Sequence, residues 1–585
     1  MACYPLTAWK LKGLQPEGNK RVREGQGYGG VIGTTLKSLA RGMVLLIDCC
    51  IWNYGLVISS ADAHRKMTTA PNLLMSRLIP LRLPRVCVAV TGTDPTELIE
   101  KAEFLVRMDN TFLEFRLDYF ARPALTLPKI KRFTESHPHV AVVATCRRVS
   151  GGGKFKGPVS AQLDVLNKAI GAGCQLVDLE LQSAAKCKPA QIEKLRSHAS
   201  LILSFHDFKA TKKLEETLAK MSAVPADYYK VVSTATTLYD NVTMMKFLEK
   251  HGDRQSLVGM CMGEQGIISR VLGVRAGSAF TFASVSDEEK TAPGQVTSQE
   301  LRGTYRIEQV DAATRVYGVV GDPVGHSLSP AIMNAAMRRE NVNGVYVALH
   351  AKTLKDLMAC MRDIPIHGLS VTMPYKESII EHLDNTDAHT TKIGACNTVV
   401  RAQDGKLYGF NTDTSGIVRP LERRLPIENA KILVLGAGGA ARAAVFGLKE
   451  RGAEVYILNR SVGPAQKLAR QAHARSIKRT DLKKLQFDVI INATPIGMGN
   501  TRETPLKEDE IKARFVFDMV YDPIETRLLK MAKAKGAEVI PGFEMFVHQA
   551  ARQFEIWTGK PAPWDEMSRV VTKALQERAL KNEKK

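Results

Sequence analysis

From Arg85 to about Thr304, short apolar runs alternate with helical stretches eight times. The runs are Val86–Val90, Phe112–Leu117, Val140–Thr145, Leu176–Leu181, Leu201–Phe205, Tyr228–Val232, Leu257–Met262 and Ala279–Ala283. Their length and Val/Ile content favour strands over pieces of buried helix, and their even spacing suits βα units with crossover helices. Eight such units predict an α/β chain that begins with a (β/α)8 barrel over residues 85–303. A polar stretch, 304–314, reads as a linker. A second α/β pattern follows, with strand-like runs Val316–Val320, Val345–Leu349 and Leu369–Thr372 separated by helical stretches such as Ala331–Arg339. Lys431–Leu435 then opens a strand–glycine–helix unit that Val455–Leu458, Val489–Ile491, Val516–Met519 and Glu538–Ile540 continue. The pattern predicts two further domains, 315–415 and 416–545, and C-terminal helices, 546–585, packing back on the first of these.

Composition changes the picture chiefly at the N-terminus. Residues 1–84 hold 11 Lys/Arg against 4 Asp/Glu and keep no helix or strand period. They read as a basic extension, either a transit peptide or a non-native leader with Met67 or Met75 as alternative starts. A cytoplasmic location is expected, or a plastid one if the extension is a transit peptide. The apolar segment Met43–Ile58 carries Asp48 and is shorter than the ~20 residues a membrane span needs. The ten cysteines form no C-x-x-C pair or zinc-spaced cluster, so free thiols and no metal are expected. The net charge of +22 attracts anions without choosing among them, and no nucleic-acid fold motif accompanies it. Small-molecule partners are therefore expected, not nucleic acid or membrane. The oligomeric state is not legible, and a monomer is compatible with the sequence.

Barrel chemistry sits at the C-terminal ends of strands. Those ends carry Glu114, Arg116 and Asp118, then Arg147 and Arg148, Asp178 and Glu180, His206-Asp207, Lys230, Met262-Gly263 with Arg270, and Thr291-Ala-Pro-Gly-Gln295. Lys230 interrupts an apolar run, Tyr228-Tyr-Lys-Val-Val232. Desolvation and neighbouring cations such as Arg147 and Arg270 would leave it as a free amine able to attack a ketone. His206 is a candidate general base, and the arginines are candidate carboxylate clamps. Taken singly, a strand lysine or a lone histidine is as readily a structural residue.

These pieces together resemble the type I 3-dehydroquinate dehydratases over residues 85–303. The resemblance implies a Schiff base on Lys230, proton removal by His206, and substrate contacts from Glu114, Arg116, Arg147, Arg270, Thr291 and Gln295. Where the family often has a glutamate supporting the histidine, this chain has Gly151. Thr291 stands where a serine is common.

In the second half, Gly436-Ala-Gly438-Gly439-Ala440-Ala441 follows an apolar strand and opens an alanine-rich helix. That context makes it a candidate pyrophosphate cradle: a tight turn, a close backbone approach and a helix N-terminus. The next strand ends in Asn459-Arg460-Ser461, where a site for NAD usually offers an acid, so the pattern suits the 2′-phosphate of NADP(H). Upstream lie Ser327 and Ser329 before a helix, Thr372 and Lys376, Asn397, and Asp413. Ordinary helix capping also accounts for Ser329-Pro330. A lysine and an aspartate with amides between them suit proton transfer in a carbonyl–alcohol interconversion.

This half resembles the shikimate dehydrogenases over residues 315–573. The resemblance implies a catalytic pair, Lys376 and Asp413, and substrate binding by Ser327, Ser329, Thr372, Asn397 and Gln549. It places Gly436, Gly438, Gly439, Ala440, Asn459, Arg460, Ser461, Thr494, Met498 and Gly542 at the cofactor, with Tyr521 in the cleft. Met333, Ser370 and Tyr375 depart from the family's usual histidine, asparagine and histidine. Together the halves resemble the fused dehydratase–dehydrogenases of the shikimate pathway, which implies that 315–415 is a substrate-binding domain and 416–545 a Rossmann-type NADP-binding domain. Two alternatives stay open: a second half acting on quinate, or a non-enzymatic regulator derived from these domains.

Overall fold

The computed structural model describes residues 83–583 apart from His326, Asn500 and Thr501. The basic extension and the targeting expectation attached to it lie outside the described residues, save for Leu83 and Pro84.

The first sheet holds β1 (Val86–Val90), β2 (Phe112–Arg116), β3 (Ala141–Thr145), β4 (Leu176–Glu180), β5 (Ser200–His206), β6 (Tyr228–Thr234), β7 (Leu257–Met262) and β8 (Thr281–Ser284). All its ladders are parallel and the order is β7-β6-β5-β4-β3-β2-β1-β8. The seam between β7 and β8 is joined just before β8, where the Ala279 amide donates to Leu257 O at 2.8 Å and the Gly259 amide to Ser278 Oγ at 3.1 Å. The result is a nearly closed barrel. The crossovers contain α1 (Pro95–Arg107), α2 (Leu127–Ser136), α3 (Val159–Gly171), α4 (Leu181–Ala184), α5 (Pro189–Arg196), α6 (Leu214–Ser222), α7 (Tyr239–His251) and α8 (Ile267–Leu272). Parallel strands are covered on both faces and so read as continuous apolar runs. Here Cys87, Phe112, Val143, Ile202 and Val258 fill the interior, while Val88, Leu98, Leu113 and Val142 belong to the layer under the helices.

The second sheet has the order β10-β9-β11-β13-β14-β12. Its strands are β9 (Arg315–Gly321), β10 (Gly344–His350), β11 (Ile366–Val371), β12 (Asn385–Thr386), β13 (Thr398–Arg401) and β14 (Leu407–Phe410), and its helices are α9 (Ser329–Arg339), α10 (Leu354–Asp363) and α11 (Ala388–Ile393). β13 runs antiparallel to both its neighbours. After α12 (Asp413–Glu422) comes a fully parallel sheet of β15 (Lys431–Leu435), β16 (Glu454–Leu458), β17 (Arg475–Ser476), β18 (Phe487–Asn492), β19 (Ala513–Asp518) and β20 (Glu538–Ile540). Its order, β17-β16-β15-β18-β19-β20, is the doubly wound one, with a switch point between β15 and β18 where nucleotides bind. α13 (Gly439–Lys449), α14 (Val462–Ala472) and α15 (Arg527–Ala534) flank it. α16 (Gly542–Thr558) and α17 (Trp564–Glu583) close the chain. Phe554, Trp557, Met567 and Val571 of these two helices pack with Tyr317, Ile332 and Tyr346 of the second sheet's domain.

Three features differ from the pattern read along the chain. Residues 304–314 are no solvated linker: Ile307 and Val310 are buried, and the Arg85 amide donates to Glu308 at 3.2 Å, because two apolar residues three apart give the stretch a packing face. The hairpin β13–β14 is an addition to that pattern, although Asp404-Gly405, with Gly405 at φ +85°, is a recognisable turn signal. The boundaries at 415 and 545 fall inside α12 and α16, since both helices pack across the junctions between domains.

Candidate active sites

The barrel places its charged residues where the strand pattern breaks. Lys230 on β6 is 3 % exposed. Its Nζ donates to Asp178 Oδ2 at 2.6 Å and lies 4.0 Å from the Phe282 ring centroid. Asp178 on β4 also accepts from Arg147 Nη2, at 3.0 Å to both oxygens, and from Ser204 Oγ at 2.7 Å. Burial alone would raise the Asp178 pKa, but the charges of Arg147 and Lys230 outweigh it and hold the carboxylate ionised, well below its usual range. Of the cations expected near Lys230, Arg147 is there, but the two share Asp178, so the direct partner of the lysine is a carboxylate. The sequence shows Asp178 at the end of strand four without giving it a role. Its signal is the one that marks Lys230, a charge inside an apolar strand.

His206 closes β5. Its Nε2 lies 2.8 Å from Arg147 Nη1. Burial, then Arg147 and Lys230, hold its pKa well below the ordinary imidazole value, so the ring is neutral. No carboxylate approaches it from Gly151, where a Cβ would come within 3.0 Å of Glu180 Oε1. Glu180 is engaged elsewhere, accepting from the Arg148 amide at 2.6 Å and Gln162 Nε2 at 2.5 Å.

Arg270 on α8 is 2 % exposed. Its only hydrogen bonds among the described residues go to Met260 Sδ, a weak acceptor, at 3.4 Å, and to Pro293 O at a long 3.5 Å. Burial lowers its pKa to about 10, and Nε has no partner. A buried guanidinium without a carboxylate is an anion site in waiting. Arg116 differs, being bound bidentately by Asp118 at 2.9–3.0 Å. Glu114 accepts from Thr145 Oγ1 at 2.7 Å. Gln295 Oε1 accepts from both Thr291 N, at 2.8 Å, and Thr291 Oγ1, at 3.1 Å, which shapes the loop after β8.

The second cleft lies between the two other sheets. Lys376 Nζ donates to Asp413 Oδ2. Asn397 Nδ2 donates to Asp413 Oδ1 at 2.7 Å and approaches Gln549 Oε1 at 3.5 Å, while its own Oδ1 accepts from the Thr412 amide at 2.8 Å. Ser327 Oγ accepts from the Ser329 amide at 3.2 Å, and the Thr372 amide donates to Val320 O at 2.9 Å. Sequence reasoning missed Tyr346 and Gln553. The Tyr346 hydroxyl donates to Ser370 Oγ at 2.6 Å, Ser370 donates to Gln553 Oε1 at 2.8 Å, and Gln553 Nε2 donates to Asn397 O at 2.9 Å. Ser370 therefore belongs to the support beneath Asn397. Tyr375 turns its hydroxyl to Ala351 O at 2.6 Å, and Met333 is core.

The glycine loop sits at the switch point. Gly436 has φ +113°, and a Cβ there would come within 3.1 Å of Ala493 O. Gly438 precedes α13 with open space beside it, and no side chain caps that helix. A Cβ on Gly439 would lie 3.2 Å from Lys376 Cβ, which places the loop against the lysine stem, with Ala440 next in the helix. Asn459 Nδ2 donates to Ser461 O at 2.9 Å, and Arg460 beside it is exposed. Thr494 bonds Asn492 at 2.7 Å, and Met498 is exposed. At Gly542 a Cβ would meet Val520 O at 2.5 Å. Tyr521 stacks on Phe546, with centroids 4.7 Å apart. Among the described residues there is no group of three or more His, Cys, Asp or Glu able to hold a metal, and no helix long and apolar enough to cross a membrane.

Fold and clefts define a two-part α/β enzyme: a barrel with a buried lysine, joined to a two-lobed oxidoreductase with a dinucleotide-type loop. Family profiles agree. Type I 3-dehydroquinase matches residues 86–312, the shikimate dehydrogenase substrate-binding domain 319–399, shikimate/quinate 5-dehydrogenase 421–530 and the shikimate 5′-dehydrogenase C-terminal domain 542–572. The chain is 33% identical over 511 residues to a chloroplastic bifunctional 3-dehydroquinate dehydratase/shikimate dehydrogenase of Arabidopsis thaliana, covering 83% of this chain and 84% of that one. It is 39% identical over 269 residues to a shikimate dehydrogenase (NADP(+)) of Nitrosopumilus maritimus, covering 44% of this chain and 98% of the relative. Among solved structures, shikimate 5-dehydrogenase from Thermus thermophilus, in complex with NADP(H) and shikimate, is 35% identical, with a TM-score of 0.42 over 45% of this chain and 100% of that chain. The chain belongs to the bifunctional 3-dehydroquinate dehydratase/shikimate dehydrogenase family.

Proposed function

We propose that the barrel dehydrates 3-dehydroquinate to 3-dehydroshikimate and that the second cleft reduces this product to shikimate with NADPH. The observation that carries this reading is that each half sets one lysine against one buried aspartate, in an otherwise distinct pocket.

In the barrel, Lys230 Nζ adds to the ring ketone and water leaves, giving an iminium. The Asp178 carboxylate, held ionised by its cationic neighbours, balances that charge. The iminium acidifies the adjacent carbon, and neutral His206 takes its proton. The same imidazole, now charged, returns the proton to the departing hydroxyl, and a water then frees Lys230. Arg270, lacking a carboxylate of its own, takes the substrate carboxylate. Glu114, Arg116 and Arg147 lie on the strand ends that face the ring hydroxyls, and the Thr291–Gln295 loop covers them.

In the second cleft, the residues fit a dinucleotide: the uncapped start of α13 and the open Gly438 suit a pyrophosphate. Arg460 with Asn459 and Ser461 suits a 2′-phosphate. Thr494, Met498 and Gly542 line the remaining surface. When bound, NADPH supplies hydride. Lys376 gives a proton to the carbonyl oxygen, Asp413 holds and reorients the ammonium, and Asn397 fixes Asp413. Ser327, Ser329, Thr372 and Gln549 bind the substrate's polar groups, with Tyr521 at the mouth.

Borohydride added during turnover of 3-dehydroquinate should leave a reduced adduct on Lys230, located by peptide mass spectrometry. A label on another lysine, or none, defeats the Schiff-base assignment. Arg460→Asp should reduce or reverse a preference for NADP over NAD, read from kcat/KM with each cofactor. Equal use of both by the unaltered protein counts against this reading.

A further inference from the structure

The helix that follows the lysine strand is held from outside the barrel. α7 starts without a side-chain cap of its own, and the first amides of any helix lack partners within it. Asp356, in the first turn of α10 of the second sheet's domain, fills two of them. Its Oδ2 accepts from the Leu238 amide at 2.7 Å and its Oδ1 from the Tyr239 amide at 3.2 Å. Two turns further along α10, Asp363 accepts from the Tyr239 hydroxyl at 2.8 Å and from Lys246 Nζ at 2.6 Å. Residues seven apart share a helix face, so α10 grips α7 twice along its length.

The start of α7 is in turn bonded to the loops of the barrel site. Asn241 Nδ2 donates to Gln265 O at 2.7 Å, and its Oδ1 accepts from the Ser269 amide at 3.1 Å, next to Arg270. Just before α7, the Ala235 amide donates to Met262 O at 3.0 Å, and the Gly263 amide donates to Pro293 O at 3.0 Å, in the loop that ends at Gln295. Thr234 Oγ1 donates to Asp207 O at 2.9 Å, one residue from His206. Displacing the first turn of α7 therefore displaces groups on three sides of the lysine.

We propose that Asp356 and Asp363 are positioning residues for the dehydratase, supplied by the dehydrogenase half. They fix the first turn of α7, and through it the segments that carry His206, Arg270 and Gln295. The proposal rests on the dehydratase reading of the barrel. Neither aspartate bonds to the Lys376–Asp413 group.

The test is Asp356→Ala in the full chain, with both activities measured. KM for 3-dehydroquinate should rise about fivefold, the factor that loss of one helix cap allows, with kcat less affected and the dehydrogenase KM and kcat unchanged. Asp356→Asn keeps an acceptor oxygen, so it should restore most of the loss. Amide exchange at Leu238 and Tyr239 should quicken in the alanine variant. Should that variant not fold, Tyr239→Phe with Lys246→Ala removes the Asp363 grip from the surface and should raise the same KM. A KM within about twofold of the unaltered protein, equal losses in both activities, or an asparagine variant no better than alanine overturns the proposal, given the size expected for a lost cap. If the unaltered chain has no dehydratase activity, the functional reading fails. The exchange rates at Leu238 and Tyr239 then decide the clamp by themselves: unchanged rates overturn it.

Discussion

Lys230 and Lys376 each sit against a buried aspartate, yet their surroundings suit different work. Lys230 lies under Phe282 with 3 % of its side-chain surface exposed, and it shares Asp178 with Arg147. Lys376 is 16 % exposed and rests against the glycine loop. The first arrangement shelters the amine proposed to form the Schiff base, while the second leaves the lysine Nζ near the cleft surface where a carbonyl can reach it. Arg270 offers the sharpest test among these residues. It is a buried cation without an anion, which costs stability until ligand arrives. Arg270→Met should therefore raise the melting temperature of the ligand-free protein while weakening 3-dehydroquinate binding by about 30-fold or more, the scale of losing one partner of a buried charge pair. Thermal melts with and without substrate, beside KM, check both signs. A lower melting temperature together with an unchanged KM would mean that Arg270 is structural.

Among the helices, α16 and α17 join the two lobes of the dehydrogenase half and carry a group the chemistry does not use. His548 on α16 lies against Trp564, with ring centroids 5.7 Å apart, is 2 % exposed, and has no hydrogen bond at either ring nitrogen. Burial, with Arg423 and Arg419 nearby, lowers its pKa to about 4. Between that value and the ordinary ~6.5, the unfolded chain binds a proton that the folded chain refuses. Stability from this residue is therefore complete above pH ~6.5 and is lost progressively as pH falls towards about 4. His548→Phe should flatten that part of the melting-temperature profile relative to the unaltered protein, and parallel profiles would contradict the argument. Strands and helices also differ in what the sequence makes legible. The eight barrel runs stand out because a parallel strand covered on both faces has little room for polar residues, so Lys230 in β6 is conspicuous. Asp178 carries the same signal in β4, but sequence spacing does not pair it with Lys230, because the barrel's curvature is what brings β4 and β6 to one point. Gln553 and Tyr346 are silent: a glutamine on a helix and a tyrosine on a strand look ordinary until their bonds to Ser370 and Asn397 are seen. Arg116 reads along the chain as a ligand for substrate, but its nearest anion is Asp118, two residues on.

At the scale of the whole chain, the two chemical groups are separate although their scaffolds are not. The candidate barrel site draws on Glu114 to Gln295 and the second cleft on Ser327 to Gln549, and among the described residues no hydrogen bond runs from one group to the other. The barrel and the second sheet's domain meet instead through α7 and α10 and through Arg275, whose Nε donates to Thr314 O at 3.1 Å. Substitutions within either chemical group should thus act locally. Lys230→Ala removes the proposed nucleophile and should abolish dehydration, yet leave reduction of supplied 3-dehydroshikimate nearly unchanged. Lys376→Ala removes the proposed general acid and should slow reduction by about 10²–10⁴-fold, while dehydration continues. Asp356→Ala is the expected exception, a residue of one half felt in the activity of the other. Both assays on all three variants, with folding followed by thermal melt, distinguish the cases. A large loss of both activities in well-folded Lys230→Ala or Lys376→Ala would mean that the two sites share groups, and the separation drawn from Asp178 and Asp413 would be wrong.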